Sequence, residues 1–337
     1  MSEDAVGGAE QVLYRIDHGL TQAGHFSVVI ACTGSKANGK LIPTGRIEGA
    51  INDATKLGIY PLYRQVIHQS IKEHTPDVIH FHGVDCLAYL PLTQCPILIT
   101  LHCPNSFYPQ DLFEIKRSNV FMHCVSHSQQ ATFANAIGLL PPILNGVPIP
   151  EEIPFYPKKD YALTIGRICP EKNVHVAIEA AKKADFSLLI AGTTFRYESH
   201  ETYFKSAVLP NLDQRRRFIG PIGGNFKWQI YSKARCTLIP SIAPETSSLV
   251  AMESLACGTP VIAFPSGALP EIIEHGKTGY LVSDSTQMAA AIKWATEIDP
   301  AVCRRVAMER FSLEQMTSRY ISLYGKLAKQ GKNSAPQ

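Results

Sequence analysis

Short β-branched and apolar runs alternate with helix-length periodic segments along almost the whole of this chain, in two consecutive series. The first series comprises residues 26–32, 77–82, 97–101, 120–125 and 143–145. The second comprises 161–165, 186–191, 217–219, 236–240, 261–264 and 280–282. Helical patterns at 10–23, 63–74, 173–184, 228–234 and 288–298 lie between them. Consecutive parallel strands need a crossover, usually a helix, so the alternation predicts α/β architecture with doubly wound parallel sheets. Two series predict two Rossmann-like domains. Residues 146–159 carry Pro148, Pro150, Pro154 and Pro157 without periodicity and read as the linker.

A chain of 337 residues is long enough for two domains, each with its own core. The 45% hydrophobic and 18% charged composition is that of a soluble globular protein. A net charge of +3, from 32 basic and 29 acidic residues, argues against a nucleic-acid partner. Nine cysteines show no disulfide spacing, and several sit inside apolar runs, as reduced cysteines of a cytosolic protein do. No apolar run reaches spanning length, and residues 1–5 lack the basic and apolar regions of a signal peptide. These features predict a cytoplasmic protein and leave room for peripheral contact at the inner face of the membrane.

The stretch from Pro244 to Pro260 carries the most chemistry. Glu245 and Glu253 flank a helix start; Ser247 and Ser248 are cap-type residues, and Leu249, Val250, Met252, Leu255 and Ala256 supply an apolar face. Gly258 and Pro260 stop the helix. Its first N–H groups suit a phosphate, and Glu253 can accept hydrogen bonds from both hydroxyls of a ribose. Upstream, Gly166-Arg167 ends a buried strand and Lys172-Asn173 opens the next helix. That places two cations at the carboxyl end of a strand, where open α/β sheets bind ligands. His102 ends an apolar strand of the first domain in the same way. Gly7 and Gly8 allow close backbone approach at the start of the first helix. Ile222 follows a strand end near the place for a base. His80, His82, His102 and His123 match no compact zinc spacing, so no metal is expected.

The Pro244–Pro260 stretch resembles the donor signature of the retaining glycosyltransferases of family 4, which have the two-Rossmann-domain GT-B architecture. That pattern runs Glu, Gly, Phe, Gly, Leu, three residues, Glu; here Glu245, Leu249 and Glu253 match, and Thr246-Ser247-Ser248 replaces Gly-Phe-Gly. Gly166-Arg167 with Lys172 resembles the family's Gly-Arg, four residues, Lys motif. The resemblance implies two domains facing across a cleft: 1–150 on the acceptor side, 151–310 binding the nucleotide sugar, and a terminal helix, 311–330, packing back on the first. It implies a metal-independent enzyme without cofactor that transfers a sugar from a nucleoside-diphosphate sugar to a carbohydrate or lipid-linked acceptor. Arg167 and Lys172 would hold the diphosphate with help from Ser248 and Leu249 at the helix start. Glu245 and His102 would meet the donor sugar, and Gly7 and Gly8 would touch the acceptor and donor phosphate. The family places a strand just before a Gly-Gly-Ala-Glu loop like Gly7–Glu10, whereas Met1-Ser-Glu-Asp-Ala is poor strand material. The first sheet is therefore expected to lack its central strand. An inactive nucleotide-binding relative and a sugar-nucleotide epimerase remain as alternatives.

Overall fold

The computed structural model describes residues 1–3, 5, 7–45, 53–133, 138–150 and 156–333. Asp4, Val6 and the 151–155 part of the expected linker lie outside these residues. The chain divides into two compact units, Met1–Leu144 with Glu314–Gln337, and Asn145–Leu313.

The first unit contains β1 (Val28–Ala31), β2 (Lys40–Pro43), β3 (Ile79–Phe81), β4 (Ile97–Leu101), β5 (Val120–Cys124) and β6 (Leu139–Leu140). They form a parallel sheet of order β3-β4-β5-β6 and a separate parallel pair, β1-β2. Every β4 residue is buried, as a strand covered on both faces must be. Among the described residues no strand precedes the helix Gly8–Gln22, and β1 and β3 each have a ladder partner on one side only. Ile30 of β1 nevertheless packs against the core cluster that holds Phe81 of β3. Among the described residues the two pieces share a core without a ladder to join them. The helix Leu313–Asn333 belongs to this unit. Its Tyr320 is wholly buried, its Tyr324 hydroxyl lies 2.6 Å from His80 Nδ1, and a Cβ on Gly19 would come 2.3 Å from Thr317.

The second unit contains β7 (Tyr161–Arg167), β8 (Ser187–Thr193), β9 (Arg216–Gly220), β10 (Cys236–Ile239), β11 (Val261–Ala263) and β12 (Gly279–Leu281). Their order is β12-β11-β10-β7-β8-β9, all parallel, which is the doubly wound Rossmann order read from the other edge. Leu163, Leu188, Ile190, Val261 and Ile262 are fully buried in it. Burial of an aliphatic side chain of this size contributes roughly 1.5–3 kcal/mol. At the site end of β7 and β8 the backbones approach closely. Gly192 pairs with Gly166, has φ 142°, and a Cβ there would lie 1.8 Å from the Gly166 carbonyl oxygen.

Three details differ from the sequence reading. Residues 143–145 form no strand. Pairing with β5 is made by Leu139–Leu140 and stops at Pro141-Pro142, which lack donors, although Ile143 N–H still reaches the Cys124 carbonyl at 3.1 Å. β2 carries only four residues and no clear alternation, which hid it. The second helix begins at Asp53 and runs through Pro61, not from position 63. The split sheet of the first unit has a measurable consequence. Amides of β1 and β3 should exchange with solvent well before those of β7, β8 and β10. Equal protection of both sets by hydrogen-exchange mass spectrometry would refute this.

Candidate functional site

In the second unit the strand order reverses between β7 and β10, and a pocket opens at their carboxyl ends. It is lined by Gly166, Arg167, Lys172, Ser241, Glu245 and Ser248 with the apolar Ile165, Val174 and Val250. β7 delivers Arg167 as its last residue. The short 3-10 turn Pro170–Lys172 follows, and Asn173 closes it at φ 56°, a left-handed conformation that Asn tolerates better than most residues. β10 delivers Ser241 and the loop to Glu245. Lys172 Nζ and Glu245 Oε1 are 2.5 Å apart, and Ser241 Oγ donates to the same oxygen at 2.6 Å. The Glu245 side chain is only 10% exposed.

Glu245 owes its place to a glycine far along the chain. Gly267 has φ 56°, and a Cβ there would stand 2.2 Å from the Glu245 carbonyl oxygen and 2.5 Å from its nitrogen. The next residue, Ala268, donates its N–H to that carbonyl at 2.7 Å. The segment around Gly267 therefore positions the acid.

The helix Leu249–Ala256 begins behind Glu245, with Ser248 as N-cap accepting from Ala251 N–H. Ser247 Oγ is buried there without a hydrogen-bond partner. The first amides of a helix have no intrahelical acceptor, so a donor-rich concavity faces the pocket. Leu249 is half-buried beside the cap. Glu253, one and a half turns along, is buried and neutralised: Lys227 Nζ lies 3.1 Å from its Oε1, and the Tyr231 hydroxyl donates to its Oε2 at 3.4 Å. Lys227 in turn stands 4.5 Å from the centre of the Trp228 ring. Ile222 packs with Trp228, Tyr161 and Ile165 against the apolar cluster around Tyr231. Sequence reasoning missed Lys227, Tyr231 and Ser241. Ser241 stands one position past the predicted strand end and was within reach. Lys227 sits between Phe226 and Trp228 with no pattern to mark it.

His102 lies in the first unit, immediately after β4. Its Nε2 is 2.9 Å from His82 Nδ1, and the two rings stack. His80 bridges Tyr324 and Thr100, and Thr100 also meets His123 Nε2 at 2.7 Å. Burial pushes the His102 ring down to about 3, with His123 adding to it, and pushes His123 to about 4. Burial and neighbouring rings hold His80 and His82 well below the ordinary value too. All four are neutral at physiological pH, and they serve one another and the terminal helix as hydrogen-bond partners. Gly7 is the N-cap of the helix Gly8–Gln22, and the Glu10 carboxylate folds against it, 1.9 Å from where a Cβ would be. That helix start already faces an acid of its own chain.

Two units built on parallel strands, the second carrying cations, acids and a capped helix start at its point of strand-order reversal, define the class of two-domain GT-B proteins. Residues 6–147 match the model described as Glycosyltransferase Family 4, and residues 148–308 match Glycosyl transferases group 1. The chain belongs to the family 4 glycosyltransferases. A D-inositol 3-phosphate glycosyltransferase of Mycobacterium sp. (strain KMS) is 30% identical over 178 residues, half of this chain and 40% of that protein. One of Corynebacterium efficiens is 34% identical over 143 residues, 40% of this chain and 34% of that protein. The matches thus span well under half the length of these relatives. Among solved structures, sucrose-phosphate synthase from Thermosynechococcus elongatus superposes with a TM-score of 0.77 at 19% identity, covering 96% of this chain and 94% of that one. Anabaena HepE in complex with UDP-glucose gives 0.73 at 18% identity, covering 97% and 98%.

The histidine network sets the response to acid. An unfolded histidine titrates near 6.5, whereas these rings stay neutral to far lower pH. Between those limits the unfolded state binds more protons, so stability falls as pH falls. Both tryptophans, Trp228 and Trp294, lie in the second unit. Acidification from pH 7 to 4 should therefore lower the far-ultraviolet dichroism of the first unit before tryptophan fluorescence changes. Coincident transitions would refute the assignment.

Proposed function

We propose that this chain is a retaining glycosyltransferase that carries a sugar from a nucleoside-diphosphate sugar to an acceptor hydroxyl without a metal ion. One observation carries the reading: Lys172 and Glu245, separated by 73 positions in sequence, meet at 2.5 Å at the sheet's reversal point, beside Arg167 and a capped helix start. A cation that neutralises phosphate and an acid that grips sugar hydroxyls belong side by side where a diphosphate joins a sugar. Arg167 and Lys172 take the diphosphate and stabilise its charge as the bond to the sugar breaks. The amides at Ser248 and Leu249 and the unpaired Ser247 hydroxyl add donors. Glu253 accepts from the ribose and shares its charge with Lys227, while Ile222 lies against the base. Glu245 orients the sugar. Held by Lys172 and Ser241, it grips hydroxyls and does not attack the anomeric carbon, in keeping with same-face departure and entry. Within the first unit, His102, kept neutral by burial, would offer a hydrogen bond to a sugar, and Gly7 and Gly8 would serve the acceptor side.

The names of the curated relatives support a polyol or carbohydrate acceptor, and a lipid-linked one fits equally. The HepE complex supports a uridine-diphosphate sugar as donor. A cytoplasmic location, with contact at the inner membrane face, fits this chemistry. Among the described residues no helix is long and apolar enough to cross a membrane. The split sheet of the first unit favours one other reading, a relative that binds nucleotide without transferring sugar.

Lys172→Ala should weaken binding of a nucleoside diphosphate far more than of the bare nucleoside, because the cation meets phosphate; calorimetry on both ligands checks this, and equal losses would remove Lys172 from the role. Glu253→Gln should narrow the preference for ribose over deoxyribose nucleotides, since a carboxylate accepts hydroxyl hydrogen bonds more strongly than an amide does. Transfer, read as nucleoside-diphosphate release that requires acceptor, should survive EDTA. Loss restored by magnesium would end the metal-free mechanism, and binding without acceptor-dependent release would favour the nucleotide-binding relative.

A further inference from the structure

The turn that presents Arg167 and Lys172 holds a second set of groups which the transfer chemistry does not use. Cys169 is the cap residue of the Pro170–Lys172 turn, and Glu171 is inside it. The short helix Glu198–Tyr203 brings His200 to the same place. The Cys169 sulfur, a Glu171 carboxylate oxygen and a His200 ring nitrogen all lie within 4.8 Å of one another. Cys169 is wholly buried and His200 is 6% exposed, whereas Glu171 opens to solvent. The His200 ring is fixed by Phe195, stacked at 6.2 Å, and by Tyr197, edge-on at 5.2 Å. Its Nδ1 is buried with no hydrogen-bond partner. An unsatisfied buried nitrogen is destabilising, and a ligand would relieve it.

We infer that Cys169, Glu171 and His200 form a binding site for a borderline divalent ion of the zinc type. Thiolate and imidazole together disfavour magnesium and calcium and suit zinc or cobalt. Tetrahedral coordination at zinc bond lengths puts ligand atoms about 3.3–3.8 Å apart, so a small closure of the cluster completes the site. Three protein ligands leave a fourth position for water on the open Glu171 side. Binding through the Cys169 thiolate releases the thiol proton. The ion takes no part in sugar transfer. Its effect is on the turn itself, where the Glu171 carbonyl accepts from Ile242 N–H at 3.0 Å and so ties the turn to the loop after β10.

The test uses the full chain, stripped with a chelator and titrated with cobalt(II) in the absence of nucleotide. One equivalent should give thiolate-to-cobalt charge-transfer absorption and the intense visible bands of four-coordinate cobalt, both abolished by one equivalent of zinc. Cys169→Ser should remove the charge-transfer band. His200→Gln and the exposed Glu171→Gln should each weaken binding by about 10–100-fold or more. Glu171→Gln keeps the test decisive if the buried variants unfold, which thermal melts will show. The inference is overturned if no one-to-one cobalt spectrum appears, if Glu171→Gln binds as the parent does, or if the double variant Cys169→Ser/His200→Gln folds and retains the spectrum. None of these outcomes depends on whether the chain transfers sugar.

Discussion

β7 is the strand from which the second unit is organised. It pairs with β8 on one side and β10 on the other, and the direction of strand order reverses across it. At such a point the chain leaving one strand and the chain leaving its neighbour diverge, and a crevice opens at their carboxyl ends. The residues of the candidate site hang on that divergence. Arg167 and Lys172 come from the first exit, while Ser241, Glu245 and the helix Leu249–Ala256 come from the second. The Gly166–Gly192 approach allows β7 to stay paired to its last residue, so Arg167 is displayed from a strand and not from a loose loop.

One ion pair stands in the crevice and a second lies behind it, under the helix Leu249–Ala256. Lys172 faces Glu245, and Lys227 faces Glu253 in a setting where neither side chain exceeds 9% exposure. Desolvating an ion pair commonly costs as much as the attraction returns, whereas removal of one partner leaves a buried charge at about 3–5 kcal/mol. Such pairs are poor devices for stability and good ones for holding charged side chains ready. On the proposed function, a diphosphate that takes over Lys172 would free Glu245 for hydroxyl groups, so that arrival of one half of a donor would prepare the site for the other half.

The second sheet was legible in the sequence because β10 and β11 are fully buried and the middles of β7 and β8 largely so, and these read as apolar runs, from Ala162-Leu163 to Val261-Ile262. Arg167, Lys172, Glu245 and Glu253 were legible because each stands at a fixed offset from such a run. Three kinds of feature were not. β2 is half-exposed and four residues long, so it has no run to read. Lys227 reaches Glu253 from a separate helix, and the Cys169–Glu171–His200 cluster is assembled across 31 positions; both are products of tertiary folding that no local spacing records. The pairing of residues 139–140 in place of 143–145 turned on a Pro-Pro step whose effect on a ladder is clear only once the partner strand is known.

Gly267 sets a limit on how this protein can diversify. Its bare Cα lets one loop press directly on the peptide of Glu245, leaving no slack in the acid's main chain. Substitutions at position 245 alone can therefore change the reach and charge of that group but not the point from which it reaches. If Glu245 grips the donor sugar as proposed, a shift in the kind of sugar accommodated, whether by drift or by laboratory selection, has to proceed through paired changes in the two loops. A library varying both together should find solutions that single-site saturation never samples.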